Sequence, residues 1–198
     1  MKIDNIAIRN KTQDLEKEIE RLKSQLNFSS TCTIQKTEDF DWNNVRNYEI
    51  GTVIHEMLLD GSAIDFVIAD NGVIAMKQCF EDAVSMSDIK DFIKEKYDLF
   101  PDRIKSAIVP RKIDKDEMNV WLFSEKEVFG KNTYGYKEEG KQIEYFKSIF
   151  NRAIGKWWWL RSPSASFSSY FCNVNRAGSP SHNDAYSSGG VCLGFYVE

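Results

Sequence analysis

The chain has 198 residues, 42% apolar and 28% charged, with a net charge of −4 at pH 7 and a pI near 5.4. Such a composition describes a folded domain with room for one sizeable core and excludes a disordered chain. The acidic balance also argues against a nucleic-acid partner, because such partners select a basic face.

The N-terminus, Met1-Lys2-Ile3-Asp4-Asn5, has no apolar h-region, so synthesis in the cytoplasm without a signal peptide is expected. No run of about 18 apolar residues occurs, so no membrane span is expected. Residues 1–30 are expected to be helical. Ile8, Leu15, Ile19, Leu22 and Leu26, with Thr12 between them, occupy a and d positions of a heptad across residues 8–26, ringed by Glu16, Lys17, Glu18, Glu20, Arg21 and Lys23. The pattern predicts a short coiled-coil stem that makes a homo-oligomer; the alternative is a lone amphipathic helix docked on its own domain. Residues 27–37 are polar and read as a linker.

A globular domain is expected over residues 39–198. Strand-like runs cover 51–59, 64–69 and 73–77, and Asp70-Asn71-Gly72 predicts a tight hairpin turn between the last two. Ser87 is a candidate cap for a helix over 88–97 with Ile89, Phe92, Ile93 and Tyr97 inward. Pro101 interrupts it, and a second short helix is expected over 104–108. A strand is predicted over 119–123, and a helix over 142–154 with Ile143, Phe146, Ile149 and Phe150 on one side. The C-terminal part reads as short strands joined by Gly- and Asn-rich loops. The expected class is α+β with a substantially antiparallel sheet.

Chemical signals are weak. His55 and His182 are the only histidines, and neither belongs to a metal-binding or nucleophile pattern. His55, in an apolar run, reads as structural. Cys32, Cys79, Cys172 and Cys192 lack zinc-site spacing. Two readings stay open for them: a bridge between Cys172 and Cys192 across the C-terminal sheet, or four reduced thiols. No catalytic residue, metal site or cofactor is expected. Trp157-Trp158-Trp159 reads either as an exposed platform or, since alternate strand residues share a face, as a core element on at least one side.

Residues 162–197 differ from the rest. They hold two charged side chains, Arg176 and Asp184, where overall composition predicts about ten. They contain no Lys, Glu, Gln, Met or Trp, and are instead rich in Ser, Asn, Tyr, Gly, Ala and Phe. That is the composition of an adaptable binding surface. Phe167, Tyr170, Phe171, Val174, Tyr186 and Val191 supply more apolar bulk than a plain loop needs.

Trp158-Trp159-Leu160-Arg161-Ser162-Pro163, Tyr170-Phe171-Cys172-Asn173-Val174 and Gly189-Gly190-Val191-Cys192-Leu193-Gly194-Phe195 resemble the C-terminal signature of variable proteins of diversity-generating retroelements, which carry a domain of unknown function, DUF6273. The stretch from Val120-Trp121-Leu122-Phe123-Ser124 to Gly130 resembles that family's interior motif. The resemblance covers about residues 39–198. It implies a C-type-lectin-like fold, distantly shared with formylglycine-generating enzymes, and a diversified segment over about 157–197. Error-prone copying of template adenines in AAC or AAT codons never yields Lys, Glu, Gln, Met or Trp, the types missing from 162–197.

The resemblance further implies diversified, ligand-contacting positions at Phe167, Ser168, Ser169, Tyr170, Asn175, Arg176, Ser179, Ser181, His182, Asn183, Asp184, Tyr186, Ser187 and Ser188. Trp158, Trp159, Arg161, Pro163, Phe171, Val174, Val191 and Phe195 would be the constant frame. The expected partner is a variable protein or glycan on another surface, with the protein carried in a phage particle or displayed. No cluster of Glu, Asp and Asn has the spacing of a calcium-dependent lectin site. The alternatives are a formylglycine-generating-type enzyme with Cys172 or Cys192 reactive, and a structural component of a phage particle.

Overall fold

The structure, a computed structural model, describes residues 34–35 and 40–198. The expected coiled-coil helix over 8–26 lies outside them. The unit Ile34–Glu198 is mixed α+β, mostly strands with few helices. A six-stranded sheet has the order β1-β2-β3-β4-β13-β8, from β1 (Ile34–Gln35), β2 (Val53–Met57), β3 (Ala63–Asp70), β4 (Val73–Met76), β8 (Val120–Leu122) and β13 (Leu193–Tyr196). A five-stranded sheet has the order β11-β10-β9-β12-β5, from β5 (Ala83–Val84), β9 (Trp158–Pro163), β10 (Tyr170–Val174), β11 (Pro180–Asp184) and β12 (Gly189–Gly190). A separate hairpin pairs β6 (Arg111–Ile113) with β7 (Asp116–Met118). Every pairing is antiparallel except β1 with β2 and β12 with β9.

The hairpin turn predicted at 70–72 forms, with Gly72 at φ 73°. A side chain there would also come within 2.5 Å of the Val197 carbonyl, so the site demands glycine twice over. β1 falls within the stretch expected to be a linker, because two residues suffice to extend the sheet edge beside β2. His55 lies on the solvent side of β2 and pairs with Asp65.

Helix α1 (Ile89–Asp98) forms where predicted and buries Ile89, with Phe92, Ile93 and Tyr97 against the core. Ser87 is not its cap; its hydroxyl bonds Ser85 instead, and Asp88 at the cap position makes no side-chain cap bond. Pro101, extended at ψ 151°, precedes α2 (Asp102–Ala107), in keeping with proline's place before a first helical turn.

The single helix expected over 142–154 does not form. A 3-10 turn at Glu144–Lys147 and one helical turn, α4 (Ile149–Arg152), are separated by Ser148 in an extended conformation, φ −79°, ψ 130°. The break turns Phe146 fully inward, while Ile149 and Phe150 stay exposed at 44% and 83%. Packing of Phe146 between Phe123 and Trp158, at ring distances of 4.9 and 5.9 Å, outweighs the helical periodicity.

One hydrophobic core joins residues of both large sheets. Phe66, Phe100, Phe195 and Trp42 form its aromatic centre. Buried Glu56 is satisfied there by the Trp42 indole at 3.1 Å and by the Arg103 guanidinium.

Candidate functional site

The five-stranded sheet carries the candidate surface. Its inner frame is β9, where Trp158, Trp159 and Leu160 are fully buried. Trp157 and Trp159 share one face, their rings 4.7 Å apart, and Trp158 lies on the other, as strand alternation requires. The Trp159 indole donates to the Val84 carbonyl at 2.8 Å and the Trp158 indole to that of Arg152 at 3.1 Å. A Cβ on Gly189 would lie 2.3 Å from the Trp157 ring, so β12 can run beside these rings only as glycine.

The motifs that are distant in sequence meet in space. α3 (Glu125–Phe129) starts with a capping box in which Ser124 and Glu127 exchange side-chain and backbone bonds. The Arg161 guanidinium reaches the buried Glu127 at 2.6 Å, Glu139 at 3.0 Å and the Leu122 carbonyl at 2.7 Å. Ser162 Oγ accepts the Glu125 N–H at 2.9 Å. The Glu125 carboxylate, itself fully buried, accepts the N–H groups of Tyr134 at 3.1 Å and Gly135 at 2.7 Å. Through Glu125 the 134–135 segment is therefore tied to β9.

On this frame stands the β10–β11 hairpin, with Tyr170 opposite Asp184, Cys172 opposite His182 and Asn173 opposite Ser181. β11 is the sheet edge, half-buried along its whole length, and begins at Pro180. The pleat sends the candidate positions to two faces. On one, His182 lies against Tyr134 at 4.4 Å, Tyr170 at 5.4 Å and Phe167 at 5.6 Å, with Ser164 Oγ 3.0 Å from its Nδ1. Asn173, Ser181 and Asn183, at the alternate positions, line a shallow cavity of about 510 Å³ with Trp157, Asn175 and Arg176, and His182 lines it as well.

All fourteen candidate positions are exposed or half-buried: Phe167, Ser168, Ser169, Arg176, Tyr186 and Ser188 are exposed, the rest half-buried. Among the expected frame residues, Trp158, Trp159, Val174, Val191 and Phe195 are buried; Arg161, Pro163 and Phe171 are half-buried. Arg176 and Asp184 do not converge. They sit at opposite ends of the hairpin, separated by the length of β11, roughly 16 Å at about 3.3 Å per residue. Arg176 belongs to the turn in which Asn175 Oδ1 accepts the N–H groups of Ala177 and Ser179, at 2.9 and 3.0 Å. Asp184 accepts from Ser169 Oγ at 3.1 Å and the Tyr186 N–H at 3.0 Å.

Sequence reasoning missed Asn173 and Trp157 in the cavity and Tyr134 beside His182. Tyr134 comes from a remote segment, and only the Glu125 tether brings it in.

The bridge between Cys172 and Cys192 is not formed. Cys172 Sγ lies 3.7 Å from Glu125 Oε2, Cys192 Sγ contacts the Met76 carbonyl at 3.1 Å, and Cys79, Cys172 and Cys192 are free. Burial pushes all three thiols up. Cys79 rises to about 12, Cys172 rises further with the Glu125 carboxylate adding to the effect, and Cys192 also rises well above the ordinary range. These thiols are poor nucleophiles at neutral pH. Among the described residues no group of three or more His, Cys, Asp or Glu is placed to hold a metal ion, and no helix is long and apolar enough to cross a membrane.

No curated protein and no solved structure matches the chain. Residues 81–197, which hold β5, both motif segments and the entire candidate surface, match the family described as a domain of unknown function, DUF6273. The chain belongs to the DUF6273 family.

Proposed function

We propose that this protein is a non-enzymatic ligand-binding protein whose C-terminal surface is diversified by a retroelement, on a C-type-lectin-like domain. The observation that carries the reading is the division of side chains in 157–197. Every position expected to vary is exposed or half-buried, while Trp158 and Trp159 before them and Val174 and Val191 among them are buried. Side chains on such a surface can change without disturbing the frame beneath. Exposed Tyr186 and Phe167, at 80% and 53%, supply rigid contact area, and the serines supply adaptable hydrogen bonds. The free, buried thiols give no support to cysteine-based catalysis. The target is a protein or glycan on another surface, and self-association through residues 8–26 raises weak single-site affinity by avidity.

Sequencing the surrounding locus tests this directly. The expected result is a second, near-identical copy of the segment encoding residues 157–197, differing at the copy's adenines and lying beside a reverse transcriptase gene. Absence of any such copy refutes diversification and leaves a fixed binding domain.

A further inference from the structure

A cavity of about 450 Å³ opens between the β3–β4 turn, β6, the stretch before Glu144 and β13. It shares no residue with the candidate surface, and its volume falls in the range that holds small molecules. Val73, Val109 and Ile143 give it apolar walls. Arg111, Lys112 and Lys141 bring positive charge from two separate segments.

The acids and the cations that line this cavity differ in how far the fold satisfies them. Asp70 already accepts the N–H groups of Asn71 at 2.9 Å and Glu144 at 3.4 Å. Glu127 is engaged by Arg161 at 2.6 Å and by the Ser124 N–H at 2.9 Å. The Arg111 guanidinium, by contrast, lies 5.4 Å over the Trp121 ring and has only a loose ion pair with Glu127, at 3.9 Å. Among the described residues it makes no side-chain hydrogen bond, and Lys112 and Lys141 make no ion pair. Stacking on a fully buried indole holds the guanidinium in place, and apart from the loose pair with Glu127 its N–H donors make no side-chain hydrogen bond among the described residues.

We propose that this cavity binds a small carboxylate. Its carboxylate takes the Arg111 fork, with Lys112 and Lys141 adding charge at the rim, and its apolar body packs against Val73, Val109 and Ile143. The site is independent of the diversified surface and stands or falls apart from it.

The test is an NMR titration of the full ¹⁵N-labelled chain with sodium benzoate, with benzyl alcohol and inorganic phosphate as controls. The Trp121 indole N–H, buried and without a hydrogen-bond partner among the described residues, is the reporter beneath Arg111. The expected result is saturable shifts of that resonance and of the amides at 109–112 and 141–143 with benzoate, and much weaker ones with either control. Arg111→Met should weaken benzoate at least about tenfold, the value of one charged hydrogen bond. Three results overturn the proposal: no saturable shift with benzoate, equal shifts with benzyl alcohol or phosphate, or undiminished affinity in a folded Arg111→Met protein. Should that variant not fold, Lys112→Gln with Lys141→Gln at the rim replaces it, and unchanged affinity there overturns the proposal as well.

Discussion

Replacing Arg161 by methionine removes the cation that joins β9 to α3. Glu127 is 2% exposed and Arg161 has 14% of its side chain exposed, so the pair lies in a poorly solvated setting. Breaking such a pair from one side costs about 3–5 kcal/mol, because the remaining charge is stranded. Glu127 retains the Ser124 N–H and the distant Arg111, and Glu139 keeps Lys137 at 3.1 Å, which places the expected loss near the lower end, about 3 kcal/mol. With a urea slope of about 2 kcal/mol per molar, the unfolding midpoint falls by roughly 1.5 M. Adding Glu127→Gln, which keeps the capping box but neutralises the charge, should recover at least about 1 kcal/mol of that loss. Arg176→Ser, on the exposed turn, should shift stability by no more than about 0.5 kcal/mol. A loss below about 1 kcal/mol for Arg161→Met, or strict additivity in the double variant, would refute the claim that this ion pair holds the frame.

Gly194→Ala places a Cβ 2.4 Å from the ring of the fully buried Phe123, and overpacking there should lower stability by about 1–3 kcal/mol, read as a lower melting temperature. Native protein treated with iodoacetamide at pH 8 should leave Cys79, Cys172 and Cys192 unmodified as seen by mass spectrometry; rapid labelling of Cys172 would favour the enzyme alternative. The same thiols make stability fall in alkali. Their folded pKa values are raised, so the unfolded chain releases protons first. The stabilisation is complete below the ordinary thiol value of 9.0 and is lost as pH rises from there towards about 12, where Cys79 ionises in the folded state; a flat stability profile across that window contradicts the burial argument. Light scattering of the whole chain and of a chain lacking residues 1–30 tests the stem: the first should be an oligomer, the second a monomer, and a monomer in both cases refutes a coiled coil.

Sequence alone determined the features that depend on local chemistry. Asp70-Asn71-Gly72 specified a turn because its backbone needs a positive φ, and the short runs at 51–59, 64–69 and 73–77 specified the strands that form as β2, β3 and β4. The missing charges set 162–197 apart from the rest, and the fourteen positions that the resemblance implies within it are exposed or half-buried. Tertiary structure decided what depends on partners far along the chain. Phe146 turned inward between Phe123 and Trp158, breaking a periodic helix at Ser148, because burying a large ring outweighs the propensity of a few residues. The resemblance put Arg161 in the constant frame, but only the placing of Glu127 and Glu139 around it gives that position a physical reason. The aromatic cluster with Tyr134 and the polar cavity with Trp157, which share His182, followed from strand pairing and the Glu125 tether, and neither is encoded within any single stretch of sequence.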